Sequence, residues 1–250
     1  GDLVMRYLNA NKTSLLGSNL ASRFKVAAFI DLAGAGGGTE LASFGVDLAN
    51  GVNHVGSVVQ AMLDYMGFNI RLGVNPGVMI DLQPSVARTT ATSSIPAVPR
   101  LRVAASGDEL YGIVTHPIIK GSDDSVVPLH SACGAATNGD YDSCVRDLRM
   151  DGRVTSVSKA PSLSQLYNYH YPVILSHDMA HNEMQSDRTG RGMTFAVSGA
   201  NKYKTGGAKT VNLNVSYYEE NVWWDWFNKY RFITNAGSKT MGKVLLDSIQ

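Results

Sequence analysis

An apolar segment that runs directly into a glycine-rich turn is the feature that most narrows the possible folds of this chain. Residues 24–32 (FKVAAFIDL) have the length of a strand and are almost continuously apolar, which is typical of a strand buried in a parallel sheet. The turn that follows reads AGAGGGTEL. Parallel strands need long crossover connections, usually helices. The segment therefore predicts an α/β fold.

Further helix and strand patterns alternate along the first 185 residues. We predict helices over residues 2–8 and 52–66, and strands over residues 113–120 and 171–176. The apolar face expected for the first helix consists of Leu3, Val4, Tyr7 and Leu8. This alternation predicts a mostly parallel sheet flanked by helices.

The chain changes character after residue 185. Residues 211–217 alternate like a half-exposed strand, and residues 239–249 are expected to form a terminal helix. We therefore divide the chain into an α/β region, residues 1–185, and an appended or edge element, residues 186–250, packed on the same domain. For the aromatic cluster of Trp223, Trp224 and Trp226 we favour packing onto the sheet over a sugar- or lipid-contacting surface.

Charge and composition exclude several classes of protein. The 22 basic and 21 acidic residues give a net charge of +1, so the chain has no basic field of the kind that a nucleic-acid binder needs. No uncharged apolar stretch approaches the roughly 18 residues of a membrane span. A soluble globular protein is expected.

Two cysteines close a loop rich in Gly, Asn and Asp. We expect Cys133 and Cys144 to form a local disulfide, with two unrelated thiols as the alternative. A disulfide places the protein in an oxidising compartment, so it predicts a secreted or periplasmic location. Three acidic residues in and beside this loop, Asp140, Asp142 and Asp147, fit a solvated acidic loop better than a structural calcium site. No cofactor is otherwise expected.

Two turns carry groups suited to chemistry. Residues 121–130 read GSDDSVVPLH and residues 176–182 read SHDMAHN, each directly after a predicted strand, where catalytic residues of parallel sheets collect. An acid followed by a histidine is the second half of a nucleophilic triad. A zinc site at His177, Asp178 and His181 is the weaker alternative, because the carboxylate is short and no third ligand is evident.

Four motifs, in the expected order, resemble α/β-hydrolase lipases and esterases of the bacterial triacylglycerol lipase type. GSDDSVVP is similar to their acid turn, and SHDMAHN to their histidine loop. Residues 26–42 are similar to a strand followed by T-P-H-x-G-[ST]-x-L-A, although the T-P-H triplet is absent. GDLVMRYL is similar to the helix behind the nucleophile, in G-H-S-x-G-G-L-V-x-R-Y-L.

The resemblance implies a triad. It assigns the acid to Asp124, with Asp123 as the alternative, and the base to His177, with His181 as the alternative. His177 is preferred because the family's catalytic histidine is followed five positions later by Asn, here Asn182. Replacement of His177 is thus expected to abolish activity, and replacement of His181 to change it little.

The nucleophile implied by the resemblance lies outside the chain. If Gly1 is the last glycine of G-x-S-x-G, the serine stands two positions earlier, and no such motif occurs within the 250 residues. Ser131 and Ser198 have the wrong spacing. We therefore expect the C-terminal part of a hydrolase, with a companion N-terminal fragment that carries the serine.

The resemblance also implies a lid, a helical insertion over about residues 43–100. The apolar face of its helix would cover the acyl site and contact a lipid surface transiently; core packing is the alternative reading of the same face, which consists of Val52, Val55, Val59, Met62 and Met66. The sequence thus predicts a secreted serine ester hydrolase that acts on lipids or other acyl esters. The alternatives are an acyltransferase with the same triad and a non-catalytic, hydrolase-like binding module.

Overall fold

The computed structural model describes residues 1–52, 60–61, 64, 67, 71–73, 75–90, 100–107, 112–132, 173–186, 195–198 and 215–249. The strands in these ranges are β1 (Phe29–Leu32), β2 (Arg100–Ala105), β3 (Val173–Ser176), β4 (Phe195–Ser198), β5 (Tyr217–Val222) and β6 (Asp225–Ile233). The α-helices are α1 (Asp2–Arg23), α2 (Glu40–Ala49), α3 (Val78–Asp81), α4 (Pro84–Ala87), α5 (Gly112–Thr115), α6 (Leu129–Ala132) and α7 (Met241–Ser248). Short 3-10 helices cover Asn182–Gln185 and Ala236–Ser238.

The described strands form a single sheet in the order β1-β2-β3-β4-β6-β5. β1, β2 and β3 run parallel, which together with the helices confirms the α/β class. The sequence predicts a mostly parallel sheet, and this prediction is wrong for the described strands. β4 returns antiparallel to β3, and β6 and β5 continue the antiparallel part, so residues 195–233 extend the sheet that the first three strands begin.

The hydrophobic core lies against the centre of this sheet. Val103 of β2 and Ile174 of β3 are fully buried in one cluster with Ile233 of β6. Met241 and Val244 of α7 complete this cluster. Burial of each such side chain contributes about 1.5–3 kcal/mol, so the C-terminal strand and helix share the core of the parallel strands.

A buried ion pair joins the first two strands. Asp31 and Arg102 are register partners in β1 and β2, and Arg102 Nη2 lies 3.6 Å from Asp31 Oδ2 with both side chains almost fully buried. Arg102 Nη1 also donates to the carbonyl of Ala132 at 2.6 Å. One guanidinium thus ties β1 and β2 to the end of α6.

The strand predicted over residues 113–120 is wrong. The structure has the helical turn α5 there, with Ile113 exposed and Thr115 buried, and the strand that precedes the acid turn is β2. β2 (RLRVAA) carries two arginines among six residues. Arg102 is nevertheless fully buried, opposite Asp31 of β1. The predicted strand over residues 171–176 is confirmed by β3, and the terminal helix by α7.

The first helix begins at Asp2 as predicted, but its buried face is polar. Asp2 and Arg6 are buried, with 3.0 Å between Arg6 Nε and Asp2 Oδ2, whereas Val4 and Tyr7 are exposed. Arg6 is drawn inward because backbone carbonyls accept its remaining donors. The helix continues to Arg23 across a break at Gly17, where φ is 75°. Neither α1 nor any other described helix has the length and apolar character needed to cross a membrane.

Aromatic side chains project from the tip of the β5–β6 hairpin. Trp223 is 78% exposed, Trp226 76% and Phe227 97%, so the packing that we favoured for this cluster from the sequence is wrong. The rings of Trp223 and Trp224 meet edge to face, 5.7 Å apart at 88°. The tip stands clear of the part of the core that the structure describes.

We expect Asp31→Ala to lower the free energy of unfolding by about 3–5 kcal/mol, because it removes the carboxylate that faces the buried Arg102. Asp247→Ala is the matched control, since its ion pairs with Lys239 and Lys243 lie on the surface. It should change the stability little. Urea unfolding of both variants measures the difference. Equal losses would contradict the importance of the buried pair.

Candidate functional site

The acid turn, residues 123–127, carries a buried carboxylate with a defined orientation. Asp124 has a side chain that is 1% exposed, and its Oδ1 accepts from the N–H groups of Val126 at 3.1 Å and Val127 at 2.7 Å. The N–H of Asp124 itself donates to the carbonyl of Val127 at 3.3 Å. Because both backbone donors bind Oδ1, the other oxygen, Oδ2, faces a different partner.

That partner is His181. Its Nδ1 lies 2.9 Å from Asp124 Oδ2, and its backbone N–H donates to the carbonyl of Asp124 at 2.9 Å. The side chain is 24% exposed. A carboxylate that holds the Nδ1–H of an imidazole fixes the ring orientation and the tautomer, which leaves the basic electron pair on Nε2; this is how a general base is oriented.

The histidine that pairs with Asp124 is the alternative one of the two candidates. The sequence favours His177 for this place, whereas the structure places His181 there. His177 directly follows β3, and the chain then crosses the end of β2, where Gly107 N–H donates to the carbonyl of Met179 at 2.9 Å. A Cβ on Gly107 would lie 2.6 Å from backbone atoms of Met179. Only after this close crossing does the chain reach the acid turn.

The alternative acid, Asp123, has its own histidine. Asp123 Oδ2 lies 2.9 Å from Nδ1 of His116, and Oδ1 accepts from the N–H of Ser125 at 2.7 Å. Burial raises the pKa of the Asp123 carboxyl, while the bonds from His116 and Ser125 oppose this rise. His116 is not found from the sequence, because the segment that joins it to Asp123 is an irregular turn after Thr115 and no local pattern brings the two side chains together.

The glycine-rich loop, residues 33–39, is held through its backbone. Arg6 Nη2 donates to the carbonyl of Gly36 at 2.6 Å, and Arg88 Nη1 donates to the carbonyl of Gly37. The N–H of Gly37 donates to Ser131 Oγ at 3.0 Å. Ser131, one of the serines nearest to a nucleophile motif in the sequence, is thus a buried acceptor for the loop.

Three polar side chains in series, Arg88, His130 and Glu40, extend from the glycine-rich loop to the start of α2. Arg88 Nη2 lies 2.9 Å from His130 Nδ1, and His130 Nε2 lies 3.4 Å from Glu40 Oε1. Glu40 is the first residue of α2, where a negative charge is favourable beside the helix N-terminus. His130 therefore lies between the Arg88 guanidinium and the Glu40 carboxylate and has a structural role.

Thr39 joins the glycine-rich loop to the acid turn. Its Oγ1 donates to the carbonyl of Val126 at 2.7 Å and accepts from the N–H of Leu41 at 3.3 Å as the N-cap of α2. The loop after β1 is thus bonded to the turn after β2, and His181 bonds that turn to the loop after β3. The three loops at the carboxyl ends of the parallel strands form one connected unit.

A cavity of about 710 Å³ opens beside this unit. Its wall includes His181 and the first residues of α1, so Gly1 and His181 face the same space. The lining residues are Gly1, Asp2, Met5, residues 28–35, Thr39, Leu82, Val126, Val127, His181 and Gln185.

Several predicted features fall outside the described residues. Cys133 and Cys144 lie there, as do Asp140, Asp142 and Asp147. Of the predicted lid face, Val52 is described and is exposed after α2, whereas Val55, Val59, Met62 and Met66 lie outside. Among the described residues, no three His, Cys, Asp or Glu side chains are grouped so that they could hold a metal ion.

Comparison of the chain with family models, with curated proteins and with solved structures finds no match. An imidazole held by a buried carboxylate can withdraw a proton from a hydroxyl and return it to a leaving group.

The raised pKa of Asp123 predicts a pH-dependent contribution to stability. The ordinary pKa of this carboxyl is 3.8. Because the pKa of Asp123 in the native state is higher, the native state holds the proton more tightly than the unfolded chain does. This contribution is fully present below about pH 4 and is lost as the pH rises through the native pKa. The wild type loses this contribution as the pH rises, whereas Asp123→Asn has none to lose. The free energy of unfolding of the variant minus that of the wild type should therefore increase between about pH 3 and pH 6, measured by urea unfolding. A difference that stays constant over this range would contradict the raised pKa.

The close crossing at Gly107 predicts a local intolerance of side chains. Gly107→Ala is expected to lower the free energy of unfolding by about 1–3 kcal/mol, because the new methyl group meets the backbone of Met179. Gly237→Ala is the matched control, since a Cβ there meets nothing within 4 Å. Thermal or urea unfolding measures both. Similar values for the two variants would exclude the crossing as the constraint.

Proposed function

We propose that this protein is a serine ester hydrolase of the α/β-hydrolase type, lipase- or esterase-like, with Asp124 and His181 as acid and base. The observation that carries the proposal is the 2.9 Å contact between Asp124 Oδ2 and His181 Nδ1, at the carboxyl ends of three parallel strands. An acid after one strand and a histidine after the next is the order found in α/β-hydrolases.

The nucleophile in this proposal is a serine two positions before Gly1. Gly1 is the N-cap of α1 and lines the same cavity as His181. A hydrolase nucleophile stands on a sharp turn between a strand and such a helix. Residues 28–32, in and before β1, also line the cavity, and β1 is an edge of the described sheet. A companion segment that adds a strand beside β1 would therefore deliver the serine to His181.

In this proposal the two nitrogens of His181 have different roles. Nε2 takes the proton of the serine hydroxyl while the serine oxygen attacks the ester carbonyl, and the protonated imidazole gives that proton to the leaving alcohol. Water repeats the sequence on the acyl-enzyme and releases the acid. Asp124 holds the Nδ1–H and stabilises the imidazolium in both steps.

The cavity supports an uncharged acyl ester as substrate. Apolar side chains of its wall, among them Met5, Leu82 and Val127, are suited to a hydrocarbon chain, and polar groups such as Thr39 and Gln185 also line it. An acyltransferase would use the same residues with an alcohol in place of water. A secreted or periplasmic location, a Cys133–Cys144 disulfide and a lid-like segment over about residues 43–100 belong to the same proposal.

Histidine replacement distinguishes the two candidate bases. With the protein that includes the segment before Gly1, we expect His181→Ala to lower kcat/KM on p-nitrophenyl esters by about 10⁴-fold or more, and Asp124→Asn by about 10⁴-fold. His177→Ala is the matched control from the same loop and should retain activity within about tenfold. A loss at His177 that equals the loss at His181 would overturn the assignment.

A serine-directed fluorophosphonate probe tests the nucleophile itself. We expect a single adduct on the segment that ends just before Gly1, located by mass spectrometry, and no adduct in His181→Ala. A folded protein that takes up no probe on any serine would instead favour the non-catalytic, hydrolase-like binding module.

A further inference from the structure

The acid turn contains a second carboxylate–imidazole pair, which the proposed mechanism does not use. Asp123 precedes Asp124 directly, and its side chain is 1% exposed. It accepts from the Ser125 N–H with one oxygen and faces His116 with the other, at 2.7 and 2.9 Å. The bonds of Asp123 therefore resemble those of Asp124, because in each residue one oxygen accepts from the turn backbone and the other faces a histidine.

The backbone between these bonds is in an unfavourable conformation. Ser125 has a φ of 75°, a region that residues with a Cβ rarely adopt. It directly follows Asp124 and precedes the two N–H groups that bind Asp124 Oδ1. The bond from Ser125 N–H to Asp123 thus lies directly beside the stretch of backbone that holds Asp124 Oδ1.

His116 is fixed in its own position by the start of α5. Its N–H donates to the carbonyl of Gly112 at 2.9 Å. A Cβ on Gly112 would lie 3.0 Å from both His116 Nε2 and Ser125 Oγ, so the imidazole and the serine hydroxyl both close on the same glycine. The side chain of His116 is 39% exposed at its outer face. Asp123 is therefore paired with a ring that packs against Gly112 on one side and is partly exposed to solvent.

We infer that His116 is a positioning residue for the Asp124–His181 pair. It acts through Asp123, whose bond to Ser125 N–H keeps the turn in the conformation that aims Asp124 Oδ2 at His181 Nδ1. Its effect on catalysis depends on the proposed function. Its effect on the Asp124–His181 hydrogen bond does not.

Two substitutions by side chains of similar size distinguish the roles of the two ring nitrogens of His116. In His116→Asn the amide nitrogen stands near the position of Nδ1 and can still donate to Asp123. In His116→Gln it stands near the position of Nε2, so the bond to Asp123 is lost. Ser122→Ala is the control within the same segment, because the Ser122 side chain is exposed.

The direct readout is the low-field proton resonance of His181 Nδ1–H, observed by NMR in protein labelled with ¹⁵N-histidine. We expect it to persist in His116→Asn and Ser122→Ala, and to shift or vanish in His116→Gln. With ester hydrolysis as the second readout, His116→Gln should lower kcat by about 10- to 100-fold with KM nearly unchanged. His116→Asn should retain most of the wild-type kcat.

The outcomes separate the inference from the proposed function. A His181 resonance that is the same in the Asn and Gln variants would overturn the inference. A resonance lost only in the Gln variant, in a protein that hydrolyses no ester, would support the inference and count against the hydrolase. If His116→Gln fails to fold, Asp123→Asn takes its place with the same expectation, since it keeps the shape of the side chain and weakens its bond to His116.

Discussion

Two neighbouring carboxylates are buried at the carboxyl ends of the parallel strands, and they set the requirements that the surrounding structure meets. Asp123 and Asp124 are both inaccessible, and a buried charge is costly unless it is paired and hydrogen-bonded. Each gives one oxygen to backbone N–H groups of the turn and the other to a histidine. His116 comes from before the turn and His181 from after it, so the turn is held from both directions along the chain. A general base that must keep one ring orientation needs a carboxylate held in this way.

Buried arginines hold the loops around the turn in a similar way. Arg6, Arg88 and Arg102 are all buried, and each donates to a backbone carbonyl, those of Gly36, Gly37 and Ala132 respectively. A guanidinium offers five donors in a fixed plane, so it can satisfy a carbonyl and an anionic side chain together. The loops at the carboxyl ends of the strands are therefore fixed by side chains that reach them from α1, from the end of α4 and from β2. Rigid loops of this kind let residues far apart in the sequence meet at one site.

The sequence predicted the features that local patterns determine. Apolar runs indicated β1 and β3, and the resemblance of GSDDSVVP to a lipase acid turn pointed to Asp124. The choice between His177 and His181 depends on how many residues the chain needs to cross the end of β2 at Gly107, a tertiary distance that no local pattern contains. The strand β2 escaped prediction for a related reason, because Arg102 becomes a core residue only when Asp31 lies beside it.

The direction of the strands also separates the aromatic hairpin from the candidate site. β6 is antiparallel to β4, and β4 is antiparallel to β3, so β6 runs in the same direction as β3. Phe232 pairs with Ala196 of β4 and therefore lies at the end of the sheet where His181 stands. Asp225 lies seven residues earlier on β6, about 23 Å away at 3.3 Å per residue. The exposed tryptophans precede Asp225 or flank it, which places them at the opposite end of the sheet. A substrate at His181 and a surface in contact with the tryptophans would thus occupy opposite ends of one sheet, and the aromatic tip has no part in shaping the cavity.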